Sequence, residues 1–169
     1  VDLKALVGDI QFGFNMTNIF DAYVNPMTEY PDDRFDGGAA DLGLDVKSDL
    51  PLFGDMSYSL YSEYSGPINL FGDDTQGFAR IQHSYNGKSL NQLSDDGNAP
   101  RYTQGDYRVT DLIMGFDVGD WKAQLSLNNI TDERGISFRD SSDFDPYYGR
   151  YSDSVIRPKN YSLSLRRYF

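Results

Sequence analysis

The sequence has no cysteine, only one histidine and no long apolar run. Without cysteine, neither a disulfide framework nor a thiolate metal site can form. His83 alone cannot build a multi-histidine metal cluster. No stretch approaches the roughly 18 consecutive apolar residues expected of a transmembrane helix. Lys and Arg number 15 against 26 Asp and Glu, which disfavours a nucleic-acid partner because phosphate groups require cationic side chains.

The most frequent pattern in the sequence is the alternation of apolar and polar residues. In "WKAQLSLN" (121–128) apolar side chains occupy every second position, and polar side chains stand between them. A period of two predicts a β-strand whose two faces differ chemically. The same pattern predicts strands over 1–7, 10–16, 42–50, 56–64, 78–85, 106–118, 121–130 and 161–169. No amphipathic helix is indicated anywhere.

The connections between these strands alternate in length. Short turns are predicted at Gly8-Asp9, 53–55 and Gly119-Asp120, and long polar loops of roughly 15 to 25 residues lie between them. This asymmetry is typical of an up-and-down transmembrane β-barrel. Counting strand directions requires one further strand before residue 78, for which Ile68 to Phe71 is the only candidate.

The predicted fold is therefore all-β, an antiparallel up-and-down transmembrane β-barrel of which about 8–10 strands are present. Its apolar face would contact lipid. The opposite face, with Asp111, Asp117, Lys122 and Gln124, would line a water-filled lumen. A soluble β-sandwich has the same alternation, so a carbohydrate-binding β-sandwich with tyrosine-rich faces is an alternative. A small outer-membrane barrel acting as an adhesin or a hydrolase is another.

The C-terminal third carries three motifs in order. Asn98, Pro100 and Arg101 lead into one strand, and "NNITDE" (128–133) closes the next. The chain ends in a pattern made of Arg157, Pro158, Tyr161, Leu163, Leu165 and Phe169. Together these motifs resemble the end of a TonB-dependent outer-membrane receptor. Residues 1 to 90 resemble that family only in having alternating strands and acidic loops.

The resemblance implies that residues 1–169 are the C-terminal portion of a larger barrel, with the plug domain and the N-terminal strands outside this sequence. It implies a bacterial outer-membrane receptor that binds a scarce ligand of the siderophore-iron, cobalamin or oligosaccharide class and imports it into the periplasm. The implied partners are outer-membrane lipid and lipopolysaccharide, the barrel-assembly machinery, and TonB, which would act through the missing N-terminal part.

Two sets of residues are candidate sites. The resemblance implies that the barrel-assembly machinery reads Tyr161, Leu163, Leu165 and Phe169; Arg167 departs from the family pattern, which often has an aromatic residue there. Tyr and Arg are common at binding hot spots, and loops often carry function. We therefore expect ligand contacts among the following loop residues: Arg101, Tyr102, Arg139, Tyr147, Tyr148 and Arg150.

No catalytic site is predicted. His83 falls on the outward face of its strand, where a position in an aromatic girdle or a local bulge is favoured, because no Ser or carboxylate is placed to partner it. We expect no enzymatic activity, no metal and no cofactor.

Overall fold

Twelve β-strands make up most of the described chain. The computed structural model describes residues 8–20, 23–24, 48–49, 51, 54–69, 75–92, 101–145 and 150–169. The strands are β1 (Asp9–Asn18), β2 (Tyr23–Val24), β3 (Ser48–Asp49), β4 (Met56–Pro67), β5 (Gln76–Asn86), β6 (Ser89–Leu90), β7 (Thr103–Gln104), β8 (Tyr107–Val118), β9 (Trp121–Asn128), β10 (Ile136–Asp145), β11 (Arg150–Val155) and β12 (Asn160–Arg167). Within these ranges no helix is long and apolar enough to cross a membrane.

Six long strands form one antiparallel sheet in the order β1-β4-β5-β8-β9-β12. Strands that follow one another along the chain within this sheet are also neighbours in it. The other six strands form three two-stranded pairs within the intervening connections: β2 with β3, β6 with β7, and β10 with β11. The prediction of an all-β antiparallel fold is confirmed. In the described residues β1 and β12 are the edges of an open sheet, and no closed barrel is present.

The strand directions place the connections at the two opposite ends of the strands. Residues 68–75 and 119–120 connect strands at one end, and we call this rim of the sheet the short-connection edge. Residues 19–55, 87–106 and 129–159 leave from the other, the long-connection edge. The alternation of short and long connections is thus present, although three of its predicted details, at 68–71, 53–55 and Gly8-Asp9, were wrong.

The first error concerns residues 68–71. Ile68 and Asn69 lie outside any strand, while Leu70 and Phe71 lie outside the described residues. β4 extends to Pro67 and pairs directly with β5, so strand directions alternate without an extra strand. The count of strand directions required an extra strand only because residues 53–55 were predicted to be a short turn between two strands of the sheet.

The second error is that turn itself. Residues 54 and 55 end the long connection that joins β1 to β4. Of the strand predicted over 42–50, only Ser48–Asp49 is described, as β3 paired with β2. Asp9, predicted to form a turn with Gly8, already belongs to β1. The strand predicted over 1–7 lies outside the described residues.

The register keeps mostly apolar side chains on one face of the sheet and mostly polar side chains on the other; the exceptions include Phe78 and Ile113 on the polar face and Ser62 and Thr110 on the apolar face. Leu112, Leu127 and Tyr161 are directly opposite one another on β8, β9 and β12. Because cross-strand partners point to the same side, the apolar positions of the six strands form one continuous face. The polar positions form the other. We call them the apolar face and the polar face.

The apolar face is exposed. Phe12 is 75% exposed and Leu163 is 76% exposed, and no hydrophobic side chain among the described residues is buried. The buried side chains in this part of the chain are polar: Thr75, Asn91, Gln104 and Asn129. A soluble sandwich would cover its apolar face with a second layer. None of the described strands provides such a layer.

Glycines on both faces make room for tyrosine rings. On the polar face, a Cβ at Gly13 would collide with the ring of Tyr61 on β4. On the apolar face, a Cβ at Gly8 would collide with the ring of Tyr64. The rings thus cover backbone that glycine leaves bare, which compensates for the weak strand propensity of glycine.

Two of the predicted long loops contain strands that the alternation did not reveal. β10 and β11 form a hairpin inside the loop predicted over about 131–158, and β6 and β7 pair inside the loop before it. β10 reads "ISFRDSSDFD", which has too few apolar residues to give a period-two signal. Backbone pairing and the Arg139–Asp153 ion pair hold this hairpin, and only a few apolar residues, such as Ile136 opposite Val155, accompany them.

Candidate functional site at the long-connection edge

Asn129 fixes the point where the third long connection leaves the sheet. It is 2% exposed and has a φ of 50°, a left-handed conformation that Asn tolerates better than most residues. Its Nδ2 donates to the carbonyl oxygens of Glu133 and Arg157, each at 3.0 Å. Its Oδ1 accepts a hydrogen bond of 2.9 Å from the Glu133 N–H. One side chain therefore joins the turn after β9 to the segment before β12.

Asp111 and Asp132 complete this turn. The Asn129 N–H donates to the Asp111 carboxylate on β8 at 2.8 Å. Asp132 accepts from the Lys159 N–H at 3.1 Å and pairs with Arg134 at 2.9 Å. Two hydrogen bonds keep the pKa of Asp132 below its usual value. The larger effect comes from the Lys159 N–H and the smaller one from the Arg134 guanidinium. The motif 128–133, noted for its family resemblance, thus has a clear structural task, which is to anchor the third connection.

An ion pair spans the hairpin that this turn carries. Arg139 on β10 lies opposite Asp153 on β11. The Arg139 Nε and Nη2 donate to the two carboxylate oxygens of Asp153, both at 2.6 Å. Hydrogen bonding from the guanidinium lowers the pKa of Asp153. This two-point geometry holds both the distance and the orientation of the two side chains.

The same arginine contacts the second long connection. Its guanidinium carbon lies 5.5 Å from the centre of the Tyr102 ring, within the range of a cation–π contact. Tyr102 is held in turn by Asn91, whose Oδ1 accepts from the Tyr102 N–H at 2.7 Å. The Asn91 N–H donates to the Tyr102 carbonyl at 3.1 Å. The second and third connections therefore meet at Tyr102 and Arg139.

The structure brings together two of the six predicted ligand-contact residues. Tyr102 and Arg139 are in contact, and the half-buried Arg101 precedes Tyr102 in the chain. Arg150 begins β11, but its side chain lies outside the described residues, as do Tyr147 and Tyr148 entirely. The sequence reasoning missed Asn91 and Asp153. Asp153 could have been found as an acidic partner for Arg139 only if the hairpin had been recognised first.

The predicted barrel-assembly residues lie on the outer strand of the sheet. Tyr161, Leu163 and Leu165 are 78%, 76% and 65% exposed on the apolar face of β12. Phe169 follows the end of β12 and is fully exposed. Arg167, the departure from the family pattern, lies between two rings: its guanidinium carbon is 5.3 Å from the Trp121 ring and 5.0 Å from the Phe169 ring.

The polar face carries a chain of interacting side chains near its centre. Arg80 lies 4.1 Å above the Tyr61 ring, pairs with Glu63 at 3.6 Å and donates to Gln82 at 3.0 Å. Ser84 lies 3.4 Å from Gln82. Nearer the short-connection edge, a second ion pair links Lys122 with Asp117 at 3.3 Å. Such a face presents charges and hydroxyls to water, and Arg80 and Lys122 each lie close to a carboxylate.

His83 lies on the apolar face, as predicted. It is opposite Leu60 and Thr110 in an uninterrupted register, so there is no bulge at this position. Its Nδ1 is 2.8 Å from the Thr110 hydroxyl, and its ring is 6.3 Å from that of Tyr58. Among the described residues no three His, Asp or Glu side chains are grouped so as to hold a metal ion.

Comparison with known proteins adds no assignment. The chain matches no protein-family model, no curated protein and no solved structure. Its function must therefore be argued from the faces of the sheet, from the long-connection edge and from the motifs in the sequence.

Proposed function

We propose that this chain is a segment of a TonB-dependent outer-membrane receptor, which captures a scarce extracellular ligand and imports it into the periplasm. The observation that carries the proposal is the continuous exposed apolar face of the six-stranded sheet. In water such a surface would be far larger than the patches that soluble monomers expose. In a bilayer it would be covered by acyl chains.

Strand length supports this environment. β4 and β8 each have 12 residues, and β5 has 11. Twelve residues at about 3.4 Å per residue extend roughly 40 Å, and a tilt of about 45° reduces this to roughly 28 Å. That value is close to the ~30 Å thickness of the hydrocarbon layer. These three strands, and β1 with 10 residues, thus have the length that a tilted membrane strand needs, whereas β9 and β12 are shorter, with 8 residues each.

Aromatic side chains lie at both ends of the apolar face. Near the long-connection edge, the Tyr58 and Tyr85 rings stack at 5.2 Å, and Phe14 lies 6.4 Å from Tyr58. At the short-connection edge, Trp121 and Phe169 flank Arg167. Aromatic girdles at the two interfaces are a feature of outer-membrane barrels. Between them, the central strands carry the aliphatic residues Ile81, Leu112 and Leu127.

The unequal edges give the sheet a direction in the membrane. Outer-membrane barrels have short periplasmic turns and long extracellular loops. On this basis the long-connection edge faces outward, so that Tyr102 and Arg139 stand where an extracellular ligand arrives. The polar face then lines the lumen of a closed barrel completed by strands outside this chain. A plug domain and a TonB-binding segment, also outside this chain, would couple energy to ligand release.

Uptake by intact cells tests this proposal. In the bacterium that carries the gene, its deletion should abolish energy-dependent uptake of one ligand class, tested with radiolabelled ferric siderophore, cobalamin and oligosaccharide. A protonophore should reduce the wild-type uptake to the level of the deletion strain, because TonB draws on the proton gradient of the inner membrane. Unchanged uptake of every ligand class, or recovery of the protein in the soluble fraction, would contradict the proposal.

A further inference from the structure

A cleft on the polar face adjoins the long-connection edge and has a chemistry unlike the rest of that face. Its volume is about 230 Å³. Thr17, Ser57 and Asn86 line it from the sheet, and Ser89, Gln104, Tyr107 and Ser137 complete its polar lining. No charged residue belongs to the lining among the described parts of the chain. Hydroxyl and amide groups therefore dominate a surface whose neighbouring region carries ion pairs.

Gln104 gives this cleft an unsatisfied hydrogen-bond donor. It is 6% exposed, and its Oε1 accepts from the Ser89 hydroxyl at 3.4 Å. That contact orients the amide, and the buried Nε2 has no hydrogen-bond partner in the described residues. Leaving such a donor unpaired is costly. A ligand oxygen that reached Nε2 from the cleft would remove the cost.

A second cleft extends the first along the same face. Its volume is about 290 Å³, and it shares Thr17, Ser57 and Asn86 with the first. Asn15, Ser59 and Ser84 add further amide and hydroxyl groups, and its lining in the described chain is again uncharged. The two clefts thus form a trough, which we call the hydroxyl trough. Their combined size is within the range of small-molecule sites.

We propose that the hydroxyl trough binds a neutral polyhydroxylated ligand, a linear oligosaccharide. Such a ligand offers many hydroxyl groups that both donate and accept, which matches side chains of Ser, Thr, Asn and Gln. Tyr107 and the apolar Ile19 and Ile136 beside it provide surfaces for the less polar faces of sugar rings. An anionic ferric complex would instead require arginine or lysine in the lining.

This inference deepens the proposed function and rests on it, because the long-connection edge is where an imported ligand would first reach the polar face. Binding to the purified protein needs neither TonB nor a proton gradient. Failure of the trough to bind sugar can therefore be distinguished from failure of the protein to transport.

Isothermal titration of the intact receptor, extracted from outer membranes and purified in detergent, tests the inference with maltohexaose, cellohexaose and xylohexaose as probes. Ferric desferrioxamine and cyanocobalamin serve as competitors of other chemistry. At least one hexaose should bind, and Gln104→Glu should weaken that binding about tenfold or more, because it replaces the free donor with a charged acceptor. Gln124→Glu, a matched change on the polar face of β9 and outside the trough, should leave binding unchanged.

A second variant guards against a folding defect in Gln104→Glu. Thr17→Val removes one trough hydroxyl from an exposed strand position without changing the shape of the side chain, and should weaken binding several-fold. Absence of binding by all three hexaoses would overturn the inference, and would indicate that water alone satisfies Gln104. Wild-type affinity in both Gln104→Glu and Thr17→Val, or binding of the ferric complex or cobalamin in place of sugar, would overturn it equally.

Discussion

The guanidinium of Arg139 binds both carboxylate oxygens of Asp153 across the β10–β11 hairpin, at 2.6 Å each, and also lies 5.5 Å from the Tyr102 ring. One side chain thereby joins two strands of the third long connection and joins that connection to the second. The ion pair is mostly shielded, with 25% of the arginine side chain and 30% of the aspartate side chain exposed. Its loss should therefore be felt in both connections.

The first prediction concerns Arg139→Gln. The substitution removes the two-point ion pair and the contact with Tyr102, and should destabilise the hairpin locally by about 1 kcal/mol, the upper end for a surface ion pair. Amide hydrogen exchange should accelerate in 136–140 and 152–156 and leave β8 and β9 unchanged. Arg166→Gln, an exposed position on β12, is the control. Equal exchange in wild type and Arg139→Gln would show that backbone pairing alone holds the hairpin.

The second prediction is a pH dependence of the same contact. The folded-state pKa of Asp153 is lowered by Arg139, so the unfolded hairpin binds a proton more readily than the folded one. The stabilisation is therefore fully present above the ordinary Asp pKa and is lost as the pH falls through the lowered value. Chemical shifts of the Tyr102 ring should report this loss only in acid. Asp153→Asn should abolish the acid transition, and a transition that persists in this variant would assign it to another carboxyl group.

The third prediction concerns the turn after β9. Asn129→Ala removes three side-chain hydrogen bonds and places alanine at a φ of 50°. At about 1 kcal/mol per hydrogen bond, the free energy of unfolding should fall by about 3 kcal/mol. Asn128→Ala, which loses one hydrogen bond to Asn160, should cost about 1 kcal/mol.

Asn129→Gly separates the two contributions. Glycine adopts a positive φ freely, so this variant loses the hydrogen bonds but adds no backbone strain. Urea midpoints in detergent should follow the order wild type, Asn128→Ala, Asn129→Gly, Asn129→Ala. If Asn129→Gly matched wild type, the conformation and not the hydrogen bonds would account for asparagine at this position.

The fourth prediction tests the two faces directly. Since the chain has no cysteine, single cysteines can be introduced without background. Leu163 and Ser164 are neighbours on β12 that point to opposite faces. In membranes, a water-soluble sulfonated maleimide should label Ser164→Cys and leave Leu163→Cys unlabelled until detergent is added. Equal labelling of both in intact membranes would place the apolar face in water.

How far the sequence could predict the fold depended on the strength of its periodic signal. Strands β8, β9 and β12 were predicted within a few residues because alternation persists along most of each, although Ile113 interrupts it in β8 and Arg167 in β12. The β10–β11 hairpin was missed because Ser and Asp occupy both of its faces, and the error at 68–71 arose because a turn at 53–55 suggested the wrong strand parity. The candidate site was predictable only in part. Tyr102 and Arg139 were identified by residue type, but the partners Asn91 and Asp153 lie 11 and 14 positions away from them.

The sequence by itself determined the two-faced character of each long strand, since a period of two assigns every side chain to one side whatever lies beside it. It also determined the short turn at Gly119-Asp120, whereas the short turns predicted at Gly8-Asp9 and 53–55 were wrong. Only the tertiary structure decided the register of the strands. The register aligns the apolar positions of the six strands on one exposed face and their polar positions on the other. It also brought Gln104 beside Thr17 and Ser57, because residues far apart in the chain meet only when antiparallel pairing returns each strand to the same edge.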